Sequence, residues 1–323
     1  MTSWWKITKF AVIFLLAILV WIFFIGISSN QSGSYFNKGH NAIWIGHAWV
    51  GEEKSYNEIK DLVDTLEKHE IDTVFVHTGP LNYDGNVDPE IYKYAISFLD
   101  QAKELNNNIE YQSWLGQIRR KINLSDKEVR INIAKLSSML TQMIGFDGIH
   151  FDIEPVWDDD LDFIELLKDT REMMPDNKKI SVALAEFIPK SVINFTEAIH
   201  EFENYNSEVN YLNVAEYADQ IVVMAYDTGL DSDWLYKSLL EEQTIWLTDL
   251  TQDAEIFVGI PAYEDQKESF DPDVENIFNA LHGVINGLNN IRSDKDNFAG
   301  IAIYPYWEMD VHEWQDFYDI WIK

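Results

Sequence analysis

Residues 147–155 read Asp-Gly-Ile-His-Phe-Asp-Ile-Glu-Pro. On an extended backbone successive side chains point to opposite faces, so His150, Asp152 and Glu154 share one face while Ile149, Phe151 and Ile153 share the other. A strand of this kind is covered on both sides. Its apolar face packs on helices, and its polar face turns into the lumen of a closed sheet. Two carboxylates and an imidazole placed there are costly unless they are paired or used. A buried hydrogen-bond network that fixes barrel register is one way to use them. A metal site is another, but one strand supplies few ligands, and no Cys or second nearby His joins them. Catalysis is the third, because paired carboxylates two residues apart can share a proton and keep one acid near neutral pH.

Short β-branched or aromatic runs like this one recur along the chain, at 42–46, 73–77, 109–114, 180–185, 220–226, 255–260 and 299–304 as well as 148–153. Between them lie amphipathic stretches, of which 55–68 is the clearest, with Ile59, Leu62, Val63 and Leu66 on one helical face. Further helices fit 90–105, 126–143, 159–174, 234–250, 273–290 and 312–322, and the link between the fifth and sixth strands is longer and irregular. Eight β–α alternations predict an α/β fold of the TIM (β/α)8 barrel type. A doubly wound open sheet is the alternative, but no Gly-rich phosphate loop follows the first strand. Barrel chemistry sits at the C-terminal strand ends. Those ends carry His47 and Trp49, His77, Trp114, Asp152 and Glu154, Glu186, Tyr226 and Asp227, Tyr263, and Tyr304 with Trp307. Acidic and aromatic groups therefore meet on one face, as a sugar-binding cleft requires.

Ahead of the barrel, residues 10–27 are all apolar, and eighteen residues at about 1.5 Å rise nearly cover a hydrocarbon core. Lys6 and Lys9 precede this run and no charge follows it until Lys38, which places residues 1–9 as a cytoplasmic stub and the rest outside. A signal peptide cut near Gly26-Ile27-Ser28 is the other reading. Residues 28–40, rich in Ser, Asn and Gly, read as a flexible linker, and 41–323 as one domain. The expected product is a single-pass membrane protein with an extracellular, monomeric C-terminal domain. A formal net charge of −31 argues against nucleic acid and anionic polymers as partners and suits a neutral or cationic ligand. The absence of Cys excludes disulfides, thiolate catalysis and Cys-ligated zinc.

The 147–155 segment resembles the Asp-Gly-x-Asp-x-Asp-x-Glu signature of the family-18 glycoside hydrolases, the chitinase-like barrels. Met224-Ala225-Tyr226-Asp227 is similar to that family's sixth-strand Met-x-Tyr-Asp, and Val258-Gly259-Ile260-Pro261-Ala262-Tyr263 to its seventh-strand Gly-x-Pro-x-Tyr. The third-strand Ser-x-Gly-Gly is echoed by Ser113-Trp114-Leu115-Gly116. The resemblance implies that Glu154 donates the proton to the glycosidic oxygen, that Asp152 orients the substrate's N-acetyl group, and that the Tyr226 hydroxyl holds the N-acetyl oxygen. It gives Asp147 a structural place. Met224, Asp227, Trp114, Tyr263, Glu186, and Tyr304 or Trp307 in place of the usual eighth-strand Trp would bind sugar. Neither cofactor nor metal is implied. Hydrolysis of β-linked N-acetylhexosamine by substrate-assisted catalysis follows as the expected activity, on an N-acetylated polysaccharide or oligosaccharide. A lectin-like barrel without turnover and a tethered scaffold with a vestigial cleft are the alternatives.

His150 replaces the signature's middle Asp and is expected to donate an N–H to Asp152, lowering its pKa. About ten residues separate Tyr263 from the next helix, too few for the α+β insertion of many chitinases.

Overall fold

The structure is a computed structural model that describes residues 29–188, 206–250, 253–264, 266, 267 and 269–323. Eight parallel strands close into a barrel in sequence order: β1 (Asn41–Ile45), β2 (Ile71–His77), β3 (Glu110–Ile118), β4 (Gly148–Glu154), β5 (Lys179–Ala185), β6 (Gln220–Met224), β7 (Glu255–Pro261) and β8 (Phe298–Tyr304). Closure is made by β8 against β1, with Ala42 opposite Ala302 and Ile43 opposite Ile303. The open-sheet alternative is thereby excluded. Each strand is followed by a helix: α1 (Tyr56–Lys68), α2 (Ala95–Leu105), α3 (Lys127–Met139), α4 (Leu161–Met173), α5 (Glu208–Ala215), α6 (Asp233–Leu250), α7 (Ile277–Asn289) and α8 (Val311–Phe317).

Helix starts follow local chemistry. Ser55 and Glu58 form a reciprocal capping box at α1, and Asp126 and Asp160 cap α3 and α4 by accepting backbone N–H bonds. The irregular link before β6 contains α5, an element the sequence pattern does not reveal. It is eight residues long, and buries few apolar side chains, Tyr211 and Val214 among them. Strand β3 also outruns its apolar core, reaching Ile118 and pairing it with Glu154.

The alternation expected of β4 sorts two cores. Ile149, Phe151 and Ile153 join the large layer between sheet and helices, with Ile43, Ile45, Val74 and Val76. A smaller cluster fills the lumen: Ala42, Trp44, Phe75, Trp114, Val222, Phe257, Ala299 and Ala302, with Tyr304 against it. At the N-terminal end of the strands the lumen is polar. Gln112 donates to Gln220 (2.7 Å) and Gln220 to Glu255 (3.0 Å). His40 pairs with Asp72 at 2.6 Å. Burial alone would lower the His40 pKa, but its bonds to Asp72 and Glu255 outweigh that and lift it to about 9. Asp147 sits at this end too, bound by Lys103 at 2.8 Å and accepting from the Tyr111 N–H at 3.0 Å.

Residues 1–28, with the expected stub and membrane span, lie outside the described residues; among the described residues no helix is long and apolar enough to cross a membrane. The expectation of a flexible linker at 28–40 needs correction. From Ser29 onward this segment is docked on the barrel. The Ser29 N–H donates to the Asn289 carbonyl at 2.9 Å, and the Gln31 N–H to the Asn289 side chain at 2.7 Å. A helical turn, Gly33–Phe36, follows, with Phe36 buried. A Cβ on Gly33 would lie 2.2 Å from the Ile320 carbonyl oxygen, so the close approach to the C-terminal segment requires glycine. Composition marks these residues as polar, but Ser29 and Gln31 find partners some 260 positions away and Phe36 is buried.

A chain beginning at Asn41 should therefore be less stable than one beginning at Ser28. Loss of Phe36 burial alone is worth about 2–3 kcal/mol, or roughly 2 °C in melting temperature per kcal/mol for a domain of this size. Thermal unfolding of the two chains checks this, and coincident midpoints would restore the linker reading.

Candidate active site

A cleft of about 210 Å³ opens at the C-terminal ends of the strands, lined by Trp44, Asp152, Glu154, Ala185, Glu186, Met224, Tyr226, Asp227 and Tyr304. A larger concavity, about 570 Å³, lies at the opposite end among Lys38, His40, Lys178, Lys179, Asp219 and Glu255. Its charges are largely spent on each other: Lys179 with Glu110 and Glu255 at 3.3 and 3.6 Å, Arg171 with Asp219 at 2.6 Å. The smaller cleft holds Asp152, Glu154, Glu186 and Asp227, none of which forms an ion pair among the described residues.

Asp152 accepts the Trp114 indole N–H on Oδ2 at 2.9 Å, while Oδ1 is buried without a donor among the described residues. Burial pushes its pKa up, and the Trp114 indole N–H and the neighbouring Glu154 carboxyl oppose this. Glu154 stands one step further out, at the mouth, reachable by water yet ringed by protein. Burial first and the neighbouring Asp152 carboxylate second push it up to about 8. Glu154 therefore keeps its proton through the neutral range, beside an Asp152 whose Oδ1 is an unfilled acceptor among the described residues. Gly116, opposite Asp152 in the β3–β4 register, keeps this space open. A Cβ there would sit 3.2 Å from the Trp114 indole nitrogen.

His150 is one step deeper on the same face, as the alternation requires, but it does not touch Asp152. Its Nε2 accepts from the Trp44 indole at 3.1 Å, which leaves the proton on Nδ1 to be donated to the Ser181 hydroxyl at 2.7 Å. Phe75 stacks on the ring at 3.8 Å, and burial lowers its pKa to about 3. It is neutral, with both nitrogens engaged. The expected N–H donation to Asp152 is corrected: Trp114 makes that bond, because the β3 side chain at this level reaches across while the imidazole is held inward by β1 and β5.

Tyr226 and Tyr304 form an aromatic wall, their rings stacked at 5.4 Å and 9°. Burial raises both hydroxyls, Tyr304 to about 12, so both stay protonated. Tyr304 also meets Trp44 edge-on at 5.7 Å and Trp307 at 5.8 Å. Tyr304 thus takes the wall position, and Trp307, half exposed, stands at the rim. Tyr263 lies behind the cleft: it stacks on Phe270 at 3.8 Å and donates its hydroxyl to Asp227 at 3.1 Å. Asp227 adopts φ 60°, a left-handed conformation that Asp tolerates. Its pKa is raised by burial against the pull of Tyr263 and Lys267. Burial, with Glu275 and Asp227 adding, pushes Glu186 up to about 7. Trp114 is buried away from the cleft, its N–H committed to Asp152 and its ring 4.4 Å from His77.

Two cleft-face residues escaped the sequence reading. Trp44 lines the cleft; its place on β1, two residues from Ala42, could have marked it as lumen-facing. Trp157 follows β4 by three residues, and its ring is covered by the Arg119 guanidinium at 4.7 Å, itself held by Asp160 at 3.0 Å, with half its surface exposed. The run Trp-Asp-Asp-Asp straight after Glu154-Pro155-Val156 was the available signal.

No family model matches the chain, and no curated protein matches it in sequence. Solved structures do. The spore cortex-lytic enzyme SleL of Bacillus cereus aligns at a TM-score of 0.59 and 12% identity, over 86% of this chain and 73% of that one. A family-18 chitinase from Cycas revoluta, in complex with allosamidin, aligns at 0.59 and 14%, over 87% and 99%. A chitinase from Bacteroides thetaiotaomicron aligns at 0.55 and 15%, over 88% and 96%. At such identities the likeness is one of fold, and together with the closed eight-stranded parallel barrel it gives the conclusion: this chain has the family-18 chitinase-like fold.

Proposed function

We propose that the protein is a retaining glycoside hydrolase of β-linked N-acetylhexosamine polymers, of the chitinase or N-acetylglucosaminidase kind. The observation that carries this is the Asp152–Glu154 pair: an acid kept protonated near neutral pH beside a carboxylate with an unfilled acceptor, in a cleft walled by Tyr226 and Tyr304. Glu154 protonates the glycosidic oxygen as that bond breaks. The acetamido oxygen of the same sugar attacks the anomeric carbon, giving a cyclic oxazolinium ion. Asp152 Oδ1 accepts the acetamido N–H, and the Tyr226 hydroxyl, with no partner among the described residues, donates to the acetamido oxygen before attack. Glu154, now ionised, takes a proton from the water that opens the ring, and configuration is retained.

A cleft of about 210 Å³ is below the roughly 300 Å³ at which drug-sized pockets begin, so it takes one sugar ring with its acetamide. The rest of a chain lies across the open face, where Trp157 and Trp307 offer exposed rings. The neighbours support the substrate class: structures of the Cycas enzyme hold N-acetylglucosamine oligomers, and SleL is cortex-lytic.

A reducing-sugar assay against chitin oligomers and peptidoglycan tests the reading, and binding without turnover would favour the lectin-like alternative. The pH profile gives a sharper expectation. Activity needs Glu154 protonated, so kcat/KM should fall as pH rises through about 8. On the acid side it should fall as Asp152 gains its proton, above the ordinary carboxylate range because that pKa is raised. A rate flat from about pH 6 to about pH 10 would put the acid elsewhere.

Residues 10–27 are proposed as an uncleaved membrane anchor. The docking of Ser29–Phe36 at the N-terminal end of the barrel supports a cleft directed away from the membrane, toward extracellular glycan. The full chain should sediment with membranes, and the chain beginning at Ser28 should not.

A further inference from the structure

The end of the barrel away from the cleft carries exposed features of its own. Asn289, the last residue of α7, ties the segment that begins at Ser29 to this end. It accepts from the Ser29 and Gln31 N–H groups at 2.9 and 2.7 Å, and its own amide donates back to the Gln31 carbonyl at 3.0 Å. Gly33 lies against the Ile320 carbonyl and Trp321, next to the C-terminus. Two apolar side chains close to these contacts are left in solvent. Tyr35 is 66% exposed, its ring edge-on to the buried Phe36, and Ile291, two residues past Asn289, is 60% exposed. Basic groups flank them. Lys38 donates to the Asp296 and Phe298 carbonyls at 3.1 and 2.7 Å, and Lys295 to those of Asn290 and Ser293 at 3.0 and 3.1 Å. Arg292 follows Ile291 and reaches Glu242 at 3.5 Å.

Exposed apolar side chains scattered singly are ordinary. What sets this pair apart is the sequence just ahead of Ser29. The all-apolar run 10–27 ends two positions earlier, and two residues of chain span ~7 Å at most. The headgroup layer on each side of a bilayer is roughly 5–8 Å deep. With 10–27 in the hydrocarbon, Ser29 therefore lies within or against the headgroups, and its bonds to Asn289 hold the barrel end there with it. Charge agrees. Residues 29–40 and 289–298 hold Lys38, Arg292 and Lys295 against Asp294 and Asp296, so they do not add to the repulsion that a chain of −31 meets at an anionic surface. A tyrosine with basic side chains beside it is what a surface at headgroup level presents.

We propose, resting on the anchor reading, that this end of the barrel is a lipid-binding face, with Tyr35 and Ile291 inserted among the headgroups of the leaflet that the chain's own apolar run enters. The consequence is for reach. A strand of seven residues at about 3.3 Å each, tilted as barrel closure requires, sets the cleft roughly 20 Å above the lipid. A barrel fixed at that height and orientation takes glycan that passes close to the membrane, and has no tether with which to search deeper layers.

The chain has no Cys, so a single introduced thiol reports its own surroundings. Full-length Tyr35→Cys, Ile291→Cys and Tyr83→Cys proteins, each with an environment-sensitive fluorophore on the thiol, are placed in phosphatidylcholine vesicles with and without a lipid spin-labelled near its headgroup. Tyr83, 82% exposed in the loop after β2, stands at the cleft end and is the control. Emission from positions 35 and 291 should shift to the blue and fall by about half or more, as insertion ~5–10 Å into the interface requires. Emission from position 83 should not change. All three side chains are exposed, and positions 35 and 291 each report alone if the other variant does not fold. Vesicle-bound protein whose labels at 35 and 291 are no more quenched than at 83 would overturn the face and leave the anchor. Equal quenching at all three would also overturn it, because the barrel would then lie on its side. Protein that does not float with the vesicles would sink the anchor reading and the face with it.

Discussion

Glu154→Gln should lower turnover of an N-acetylglucosamine oligomer by about 10²–10⁴, the usual effect of removing a general acid. The amide keeps the shape and the position beside Asp152 but has no proton to give to the leaving oxygen. It also removes the negative field of an ionised Glu154, so the coupled titration of the pair disappears, and any residual rate should lack the basic limb that the unaltered protein shows near pH 8. Binding should persist, because the aromatic wall of Tyr226 and Tyr304 and the Asp152 acceptor are untouched. Steady-state rates and calorimetric affinity on one preparation check both halves. Near-normal turnover would move the acid away from β4.

A second large effect separates two residues that the sequence places side by side. His150→Ala removes the acceptor of the Trp44 indole and the donor to Ser181, and both partners are fully buried. Each group left unsatisfied costs about 1–3 kcal/mol, and the stacking on Phe75 is lost as well, so the unfolding free energy should drop by roughly 3–5 kcal/mol. The acid limb of kcat/KM should not move, because His150 is neutral and does not bond Asp152. Trp114→Phe should do the opposite. It keeps most of the ring packing but deletes the N–H donated to Asp152 Oδ2, the one side-chain donor to that carboxylate among the described residues. A hydrogen bond to a charged group favours its ionised form, so its loss should raise the Asp152 pKa further and move the acid limb upward. Urea denaturation and full pH–rate profiles of the two variants decide the matter. A limb that moves in His150→Ala and stays in Trp114→Phe would mean that the imidazole, and not the indole, tunes Asp152.

The contrast between those residues shows where sequence reading stops. That His150, Asp152 and Glu154 share a face follows from the alternation of an extended chain, a local property of the backbone, and the structure keeps it. The eight strands were legible for the same reason, since each is a short apolar run between amphipathic helices. Their closure follows from the way β–α units pack. Helix α5 was not legible, because an eight-residue helix that buries few apolar side chains leaves little periodicity to read.

Partner choice belongs to the tertiary structure. Trp44 and His150 are 106 positions apart, Trp114 and Asp152 38, and Ser29 and Asn289 260. Which indole meets the imidazole and which meets the carboxylate is set by strand register and by how side chains of unequal length fill one lumen, neither of which is encoded in hydrophobic spacing. The docked segment from Ser29 arises in the same way. The sequence by itself determined a barrel with two carboxylates facing inward from its fourth strand. Only the closed structure decided which of its polar groups are satisfied by the protein and which are left for a ligand, because hydrogen bonds form between groups that folding, not sequence order, makes neighbours.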